Sequence, residues 1–306
     1  MLRYAITKLV LAVPLLLGVS FAVFVLGQIT PGDPVIIMLG ERAPPDEATR
    51  LRSSLGLDLP WYQQYLRFVA NAVQGDLGIS YRSKLPVFHE LMSRFPATAE
   101  LASAALLFSV TLGISMGVIS AVKHNTLIDR LAVVVAIAGN SMPVFWSGLL
   151  LILFLALTLG WLPASGRGSP AHLVMPAIAL GASAAALIAR ITRSSMLESL
   201  GQDYVRTARA KGLGEQAVVI RHALRNALIP VSTVVGLEIG ALLAGAVLTE
   251  TVFAWPGIGR LTVQAIDQRD FPVIRGTVLL VATVFTLTNL ALDLLLVKLD
   301  PRIKYS

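Results

Sequence analysis

Long uncharged runs alternate along this chain with short polar, basic ones. Six runs are apolar over the roughly 20 residues that a helix needs to cross the hydrocarbon of a bilayer. They cover 9–29, 97–122, 131–159, 173–195, 229–252 and 273–297, and each predicts a transmembrane helix. Asn140-Ser141-Met142-Pro143 interrupts the third run, and Pro143, which has no backbone donor, predicts a kink there. Pro176 lies near the start of the fourth, where the first N–H groups of a helix are unpaired anyway. The first run is longer than a signal-peptide core and ends in Leu26-Gly27-Gln28-Ile29-Thr30-Pro31, so a retained helix is predicted over 1–29. Residues 30–96 are too long for a turn. Asp46–Leu57 and Trp61–Val73 have helical apolar spacing, punctuated by Pro44-Pro45 and Leu59-Pro60, which predicts a small helical subdomain outside the membrane.

Composition supports this reading. The chain has 306 residues, 55% hydrophobic and 14% charged, against about 25% charged in soluble domains. The expected class is an all-α integral membrane protein. The net charge of +7 follows from topology rather than from a nucleic-acid partner, and none is expected. With a cytoplasmic N-terminus, 14 of the 25 Lys and Arg residues fall inside. Seven of the other 11 lie in 30–96, a segment long enough that the inside-positive bias has little weight there. Both termini are therefore expected in the cytoplasm. Cysteine is absent, which excludes disulfides and thiolate chemistry. None of His89, His124, His172 and His222 lies inside a run, and no two have metal-ligand spacing, so no metal or cofactor is expected on this chain.

Few polar groups enter the runs. Glu238 lies about 12 Å into the fifth by helical rise. It needs a partner or water, and two readings stay open: a tie to Arg190 or Arg193, or a place on a translocation path. Asn289 and Asp293 are expected to hydrogen-bond between helices. Asn140, Ser141 and Met142 beside Pro143 either pack or line a path, because a kink frees a carbonyl. Gly236, Gly240, Ala244 and Gly245 suit close helix contact. Catalysis is not expected. Ser147 and Ser183 have no histidine at their depth, and neither a His-Glu-x-x-His nor a Gly-x-x-x-x-Gly-Lys-Ser/Thr motif occurs. If ATP drives this chain, another chain binds it. A stand-alone secondary transporter or channel for small solutes is the alternative, although its usual mark is several buried ionisable residues.

The stretch 203–230 separates the fourth and fifth runs. It is too charged to sit in lipid. Residues 203–211 and 215–226 have helix formers, and Gly212 and Gly214 interrupt them. Two short helices joined at a glycine are predicted, with Gly212 at positive φ. From the residues alone, three roles fit: contact with anionic headgroups, a solvated loop, or docking of a soluble partner.

The wording of the stretch is more specific. Asp203-Tyr204-Val205-Arg206-Thr207-Ala208-Arg209-Ala210-Lys211-Gly212, followed by His222-Ala223-Leu224-Arg225-Asn226-Ala227-Leu228-Ile229-Pro230, resembles the coupling loop of bacterial ABC importer permeases of the dipeptide/oligopeptide/nickel branch, which includes glutathione permeases. The wider superfamily writes Glu-Ala-Ala, three residues and Gly. Here Arg206, Thr207 and Ala208 stand at the first three places, a departure typical of the peptide branch. The resemblance continues through Pro31-Gly32-Asp33-Pro34, Asn71–Gly78, Leu159–Pro163, Phe253–Gly259 and Asp300-Pro301-Arg302.

It implies a type I ABC importer permease fold in the bacterial inner membrane. The expected parts are a first helix over 1–29, an extracytoplasmic helical insertion over 30–96, a five-helix core over 97–297 with its coupling loop at 196–228, and a cytoplasmic tail over 298–306. It also implies the partners: a second homologous permease, two cytoplasmic ATPases that hold ATP and Mg, an extracytoplasmic substrate-binding protein, and the bilayer. Asp203, Arg206, Ala208, Arg209, Lys211, Gly212, Glu215, His222 and Arg225 are the coupling residues it implies. Asn140, Ser141, Met142 and Glu238 are the pathway candidates.

Overall fold

The computed structural model describes the backbone of residues 2–29, 33–40 and 44–299, and their side chains apart from 2–5, 293 and 295–299. Thr30-Pro31-Gly32, the Asp293 side chain, Asp300-Pro301-Arg302 and most of the 298–306 tail lie outside the described residues. Twelve helices and no strand occur among the described residues: α1 Leu2–Ile29, α2 Pro34–Leu39, α3 Pro45–Ser54, α4 Trp61–Val73, α5 Val87–Val122, α6 Leu127–Ser141, α7 Val144–Thr158, α8 Pro170–Leu200, α9 Asp203–Ala210, α10 Glu215–Val252, α11 Ile258–Asp267 and α12 Phe271–Leu299. The chain divides into two compact units, Met1–Ala97 with Pro256–Leu290, and Thr98–Trp255 with Ala291–Ser306.

Among the described residues, five helices are long and apolar enough to cross a membrane, within α1, α5, α8, α10 and α12. The third predicted run is different. It is two helices, α6 and α7, bent by 107° at a short break, and not one kinked helix. Pro143 is the cause. A residue before proline is pushed out of the helical region, and Met142 is extended at φ −85°, ψ 127°. Pro143 is itself extended at φ −58°, ψ 136° and opens α7. Its carbonyl accepts from the N–H groups of Trp146 and Ser147, both at 3.0 Å.

In the first unit, Val87, Leu91, Ile258, Leu261, Ala265 and Val273 form a core where α5, α11 and α12 meet. The loop before α5 is clasped by Asp270, which is 3% exposed. Its carboxylate accepts from Ser80 Oγ at 2.5 Å and from the N–H groups of Tyr81 at 3.1 Å and Arg82 at 3.3 Å. The helices predicted over 46–57 and 61–73 are α3 and α4. The short α2 was not predicted. Asp33 caps it by accepting from Val35 N–H at 2.9 Å, and Arg52 from α3 pairs with the same carboxylate.

In the second unit, α5 and α8 approach to backbone contact. A Cβ at Gly117 would sit 2.6 Å from the Ala189 carbonyl oxygen, and one at Gly113 would sit 2.8 Å from that of Ala185. Gly113 and Gly117 form a small-xxx-small pair, which lets helices meet this closely. The stripe expected on α10 is looser: a Cβ at Gly245 would stand 3.1 Å from Leu180 and one at Gly236 3.5 Å from Leu292.

Candidate functional site

The basic stretch folds as two arms joined at Gly212. Arm α9 ends in a Schellman closure: Gly212 N–H donates to the Arg209 carbonyl at 2.9 Å, and Leu213 N–H to that of Ala208 at 3.4 Å. This closure needs a left-handed residue just past the helix end, and Gly212 has φ +76°. No neighbouring atom lies within 4 Å of where its Cβ would be, so conformation and not crowding selects glycine. Arm α10 starts at Glu215 and passes through a π-helical stretch, Val218–Leu224, before becoming the fifth span.

Helical spacing gives α9 a buried and an exposed face. Val205 and Ala208 are buried with Ala121, Met196, Val218, Val219, Ala223 and Ala227, so the bracket is anchored on the C-terminal ends of α5 and α8 and the N-terminal part of α10. Ala208 thus faces the core and not the outside. The exposed face carries Asp203, Tyr204, Arg206, Thr207, Arg209, Lys211 and Leu213. Arg206 Nη1 stands 3.3 Å from Asp203 Oδ1. Arg209 reaches back across the glycine and donates to Glu215, Nε to Oε2 at 3.1 Å and Nη2 to Oε1 at 2.7 Å. That bond holds the Arg209 guanidinium above its ordinary value. This clasp closes the bracket on itself, a pairing hidden in sequence because Gly212 reverses the chain between the partners. His222 is half-buried, and its carbonyl accepts from Asn226 Nδ2 at 3.2 Å. Arg225 is exposed.

A cavity of about 570 Å³ opens among α5, α6 and α8. Met116, Ala136, Ile137 and Leu187 supply apolar wall, and Ser120, Asn140, Ser141, Arg190, Arg193 and Ser194 supply polar groups. Asn140 accepts from Ser183 Oγ at 3.1 Å. Of the four pathway candidates, Asn140 and Ser141 line this space, while Met142 and Glu238 do not. The tie considered for Glu238 is absent: among the described residues no hydrogen bond or ion pair joins it, and Arg193 is taken by Asp129 instead. Among the described residues the Asn289 side chain likewise makes no hydrogen bond. The sequence offered Arg193 as a partner for Glu238 and did not single out Asp129, because the Asp129–Arg193 pair joins residues far apart in the chain.

Residues 110–305 match the family model described as binding-protein-dependent transport system inner membrane component, and residues 1–102 match its N-terminal companion. The dipeptide transport system permease protein of Escherichia coli strain K12 is 45% identical over 337 residues, covering 100% of this chain and 99% of that one. The di/tripeptide transport system permease protein of Pseudomonas aeruginosa strain UCBPP-PA14 is 47% identical over 334 residues, with 100% and 99% covered. The glutathione transport system permease protein of Escherichia coli strain K12 is 44% identical over 305 residues, with 100% of both chains covered. Among solved structures, an inward-facing MetNI methionine ABC transporter gives a TM-score of 0.59 at 19% identity, over 69% of this chain and 96% of that one.

Proposed function

The chain belongs to the binding-protein-dependent transport system inner membrane components, and we propose that it forms half of the pathway of an ATP-driven importer of short peptides. It is a multi-pass inner-membrane permease subunit with the type I ABC importer permease fold. The stand-alone transporter reading is set aside by this membership. Dipeptides, oligopeptides and glutathione-like peptides are the proposed cargo class, because the relatives named above transport such molecules.

The observation that carries the reading is the Gly212 bracket. It presents charged and aromatic side chains on one face and is anchored on three spans by the other. A docking ATPase that moves the bracket moves those spans with it. The proposed partners are a second homologous permease, two ATPases that hold ATP and Mg, and an extracytoplasmic binding protein. Both termini and the bracket are proposed to be cytoplasmic, with 30–96 on the outer side, 97–297 as the core and 196–228 as its coupling loop. In this scheme Asp203, Arg206, Lys211 and Arg225 face the ATPase. Gly212, Arg209 and Glu215 set the bracket's shape, and Ala208 and His222 seat it. Asn140 and Ser141, with Arg190, are proposed as pathway groups because they share the cavity.

The test is a reconstituted complex carrying Arg206→Glu with Lys211→Glu. Peptide uptake and peptide-stimulated ATP hydrolysis should both fall while the subunit's membrane abundance stays normal. Undiminished stimulation in that double variant would reduce the bracket to a solvated loop.

A further inference from the structure

We propose that α4 lies at the acyl chain–headgroup boundary of the bilayer, its exposed apolar stripe in lipid, rather than in a solvated subdomain. The leaflet is the one at the Ile29 end of α1, which is the outer leaflet in the orientation proposed above.

The first observation is the stripe. Tyr62, Leu66 and Val73 are 49%, 63% and 84% exposed, and the exposed Ala70 lies between the last two. Spacings of four, four and three place them on one helical face. Trp61, 58% exposed, stands at its head. The opposite side is occupied by protein: Gln64, Tyr65 and Phe68 are partly buried. Arg275 of α12 lies over both Phe68, at 5.9 Å, and Phe24 of α1, at 4.9 Å. Gln63 and Arg67 are exposed beside the stripe, where they reach headgroups.

The second observation is depth. The Tyr65 hydroxyl donates to the Leu17 carbonyl at 3.0 Å and lies 3.0 Å from Ser20 Oγ. Its ring meets Phe21 at 5.3 Å and Phe24 at 5.4 Å, and Trp61 meets Phe21 at 6.5 Å. Gln28 donates to Gln64 at 3.0 Å. The contacts of α4 on α1 therefore run from Leu17 to Gln28. By helical rise, Leu17 is about 18 Å below Ile29, more than half of a hydrocarbon core of about 30 Å. Even allowing for the reach of a tyrosine side chain, α4 begins beside the membrane-crossing part of α1 and not above it.

The third observation is continuity. On α1, Leu15, Leu17, Phe21 and Leu26 are 53%, 43%, 42% and 63% exposed, as expected of a lipid-facing span. The exposed apolar residues of α4 adjoin that surface at Phe21, whose ring meets Trp61 at 6.5 Å. An interfacial helix has this anatomy: an apolar face in the acyl boundary, a polar edge at the headgroups, and Trp and Tyr at the interface.

The absence of cysteine allows single nitroxide labels at Leu66→Cys and Val73→Cys in the whole complex in lipid nanodiscs, with Leu11→Cys as a lipid reference and Asp46→Cys as a water reference. Retained ATP hydrolysis shows that the labelled complexes are folded. Oxygen should collide with both α4 labels far more often than a water-soluble nickel chelate does, giving an accessibility ratio close to that at Leu11 and several-fold above that at Asp46. Nickel access as high as at Asp46 would show a solvated helix and overturn the proposal. Low access to both reagents would show a protein partner on the stripe and overturn it equally.

Discussion

Arg193 grips Asp129 through two hydrogen bonds, Nε to Oδ1 at 2.8 Å and Nη2 to Oδ2 at 2.9 Å. Asp129 is 3% exposed and also accepts from Ser120 Oγ at 2.5 Å and Asn125 N–H at 2.9 Å. His124 Nδ1 stands 3.3 Å from Oδ2. One carboxylate thus ties the end of α5 and the start of α6 to α8, one helical turn from Met196 in the bracket's core. The fork of a guanidinium suits this site as an ammonium does not.

Arg193→Ala should take the bidentate partner from the Asp129 carboxylate and destabilise the subunit, seen as faster thermal inactivation of the purified complex. Arg193→Lys should lie between it and the parent. Since the pair acts as a unit, Asp129→Ala with Arg193→Ala should cost less than the sum of the two single variants. Strict additivity in that cycle would deny the coupling.

Gly212 offers a test of conformation against space. A Cβ there meets nothing within 4 Å, yet φ is +76°. An L-residue in the left-handed region costs about 1–2 kcal/mol, and Asn tolerates it best. Peptide-stimulated ATP hydrolysis should therefore fall in the order Gly, Asn, Ala, Val. A series that tracked side-chain volume alone, with Ala above Asn, would contradict the conformational account.

The Arg209–Glu215 clasp is exposed at both ends, 43% and 58%, so its stability contribution is expected to be small and to shrink with salt. Its larger effect should be on shape. Arg209→Glu alone should uncouple transport from ATP hydrolysis. Adding Glu215→Arg should restore much of the coupling if the clasp is internal, and none of it if Arg209 instead grips the ATPase.

Ala136 lines the cavity among α5, α6 and α8. Ala136→Phe should place a ring in that space and block peptide uptake, while leaving membrane abundance and basal ATP hydrolysis close to the parent. Normal uptake in this variant would remove the cavity, and Asn140 and Ser141 with it, from the pathway.

Orientation can be read with an impermeant thiol reagent. Lys211→Cys is preferable to a cysteine at Gly212, where any side chain is strained. Lys211→Cys should label only after the membrane is opened, and Asp46→Cys should label from outside intact cells. Trp255 is 1% exposed and is a poor reporter.

Five of the six apolar runs are single helices long and apolar enough to cross a membrane, because a bilayer demands about 20 apolar residues whatever the neighbours do. The sequence also foretold the glycine-jointed bracket and the positive φ of Gly212, since chain reversal at a helix end is a local property. It understated Pro143, where a predicted kink is a 107° break. A proline's local effect is readable, but the angle depends on what packs on either side.

Pairing between distant residues was decided only by the tertiary structure. Glu238 and Arg193 have compatible depth along their helices, yet Arg193 belongs to Asp129, because depth fixes one coordinate and helix rotation and packing fix the others. The same holds for Asp270 with Ser80 and for Arg209 with Glu215. Hydrophobic patterning therefore set which segments are apolar enough to cross, an energy summed over many residues. Which single charge meets which is a matter of ångströms between helix faces, and only folding brings those faces together.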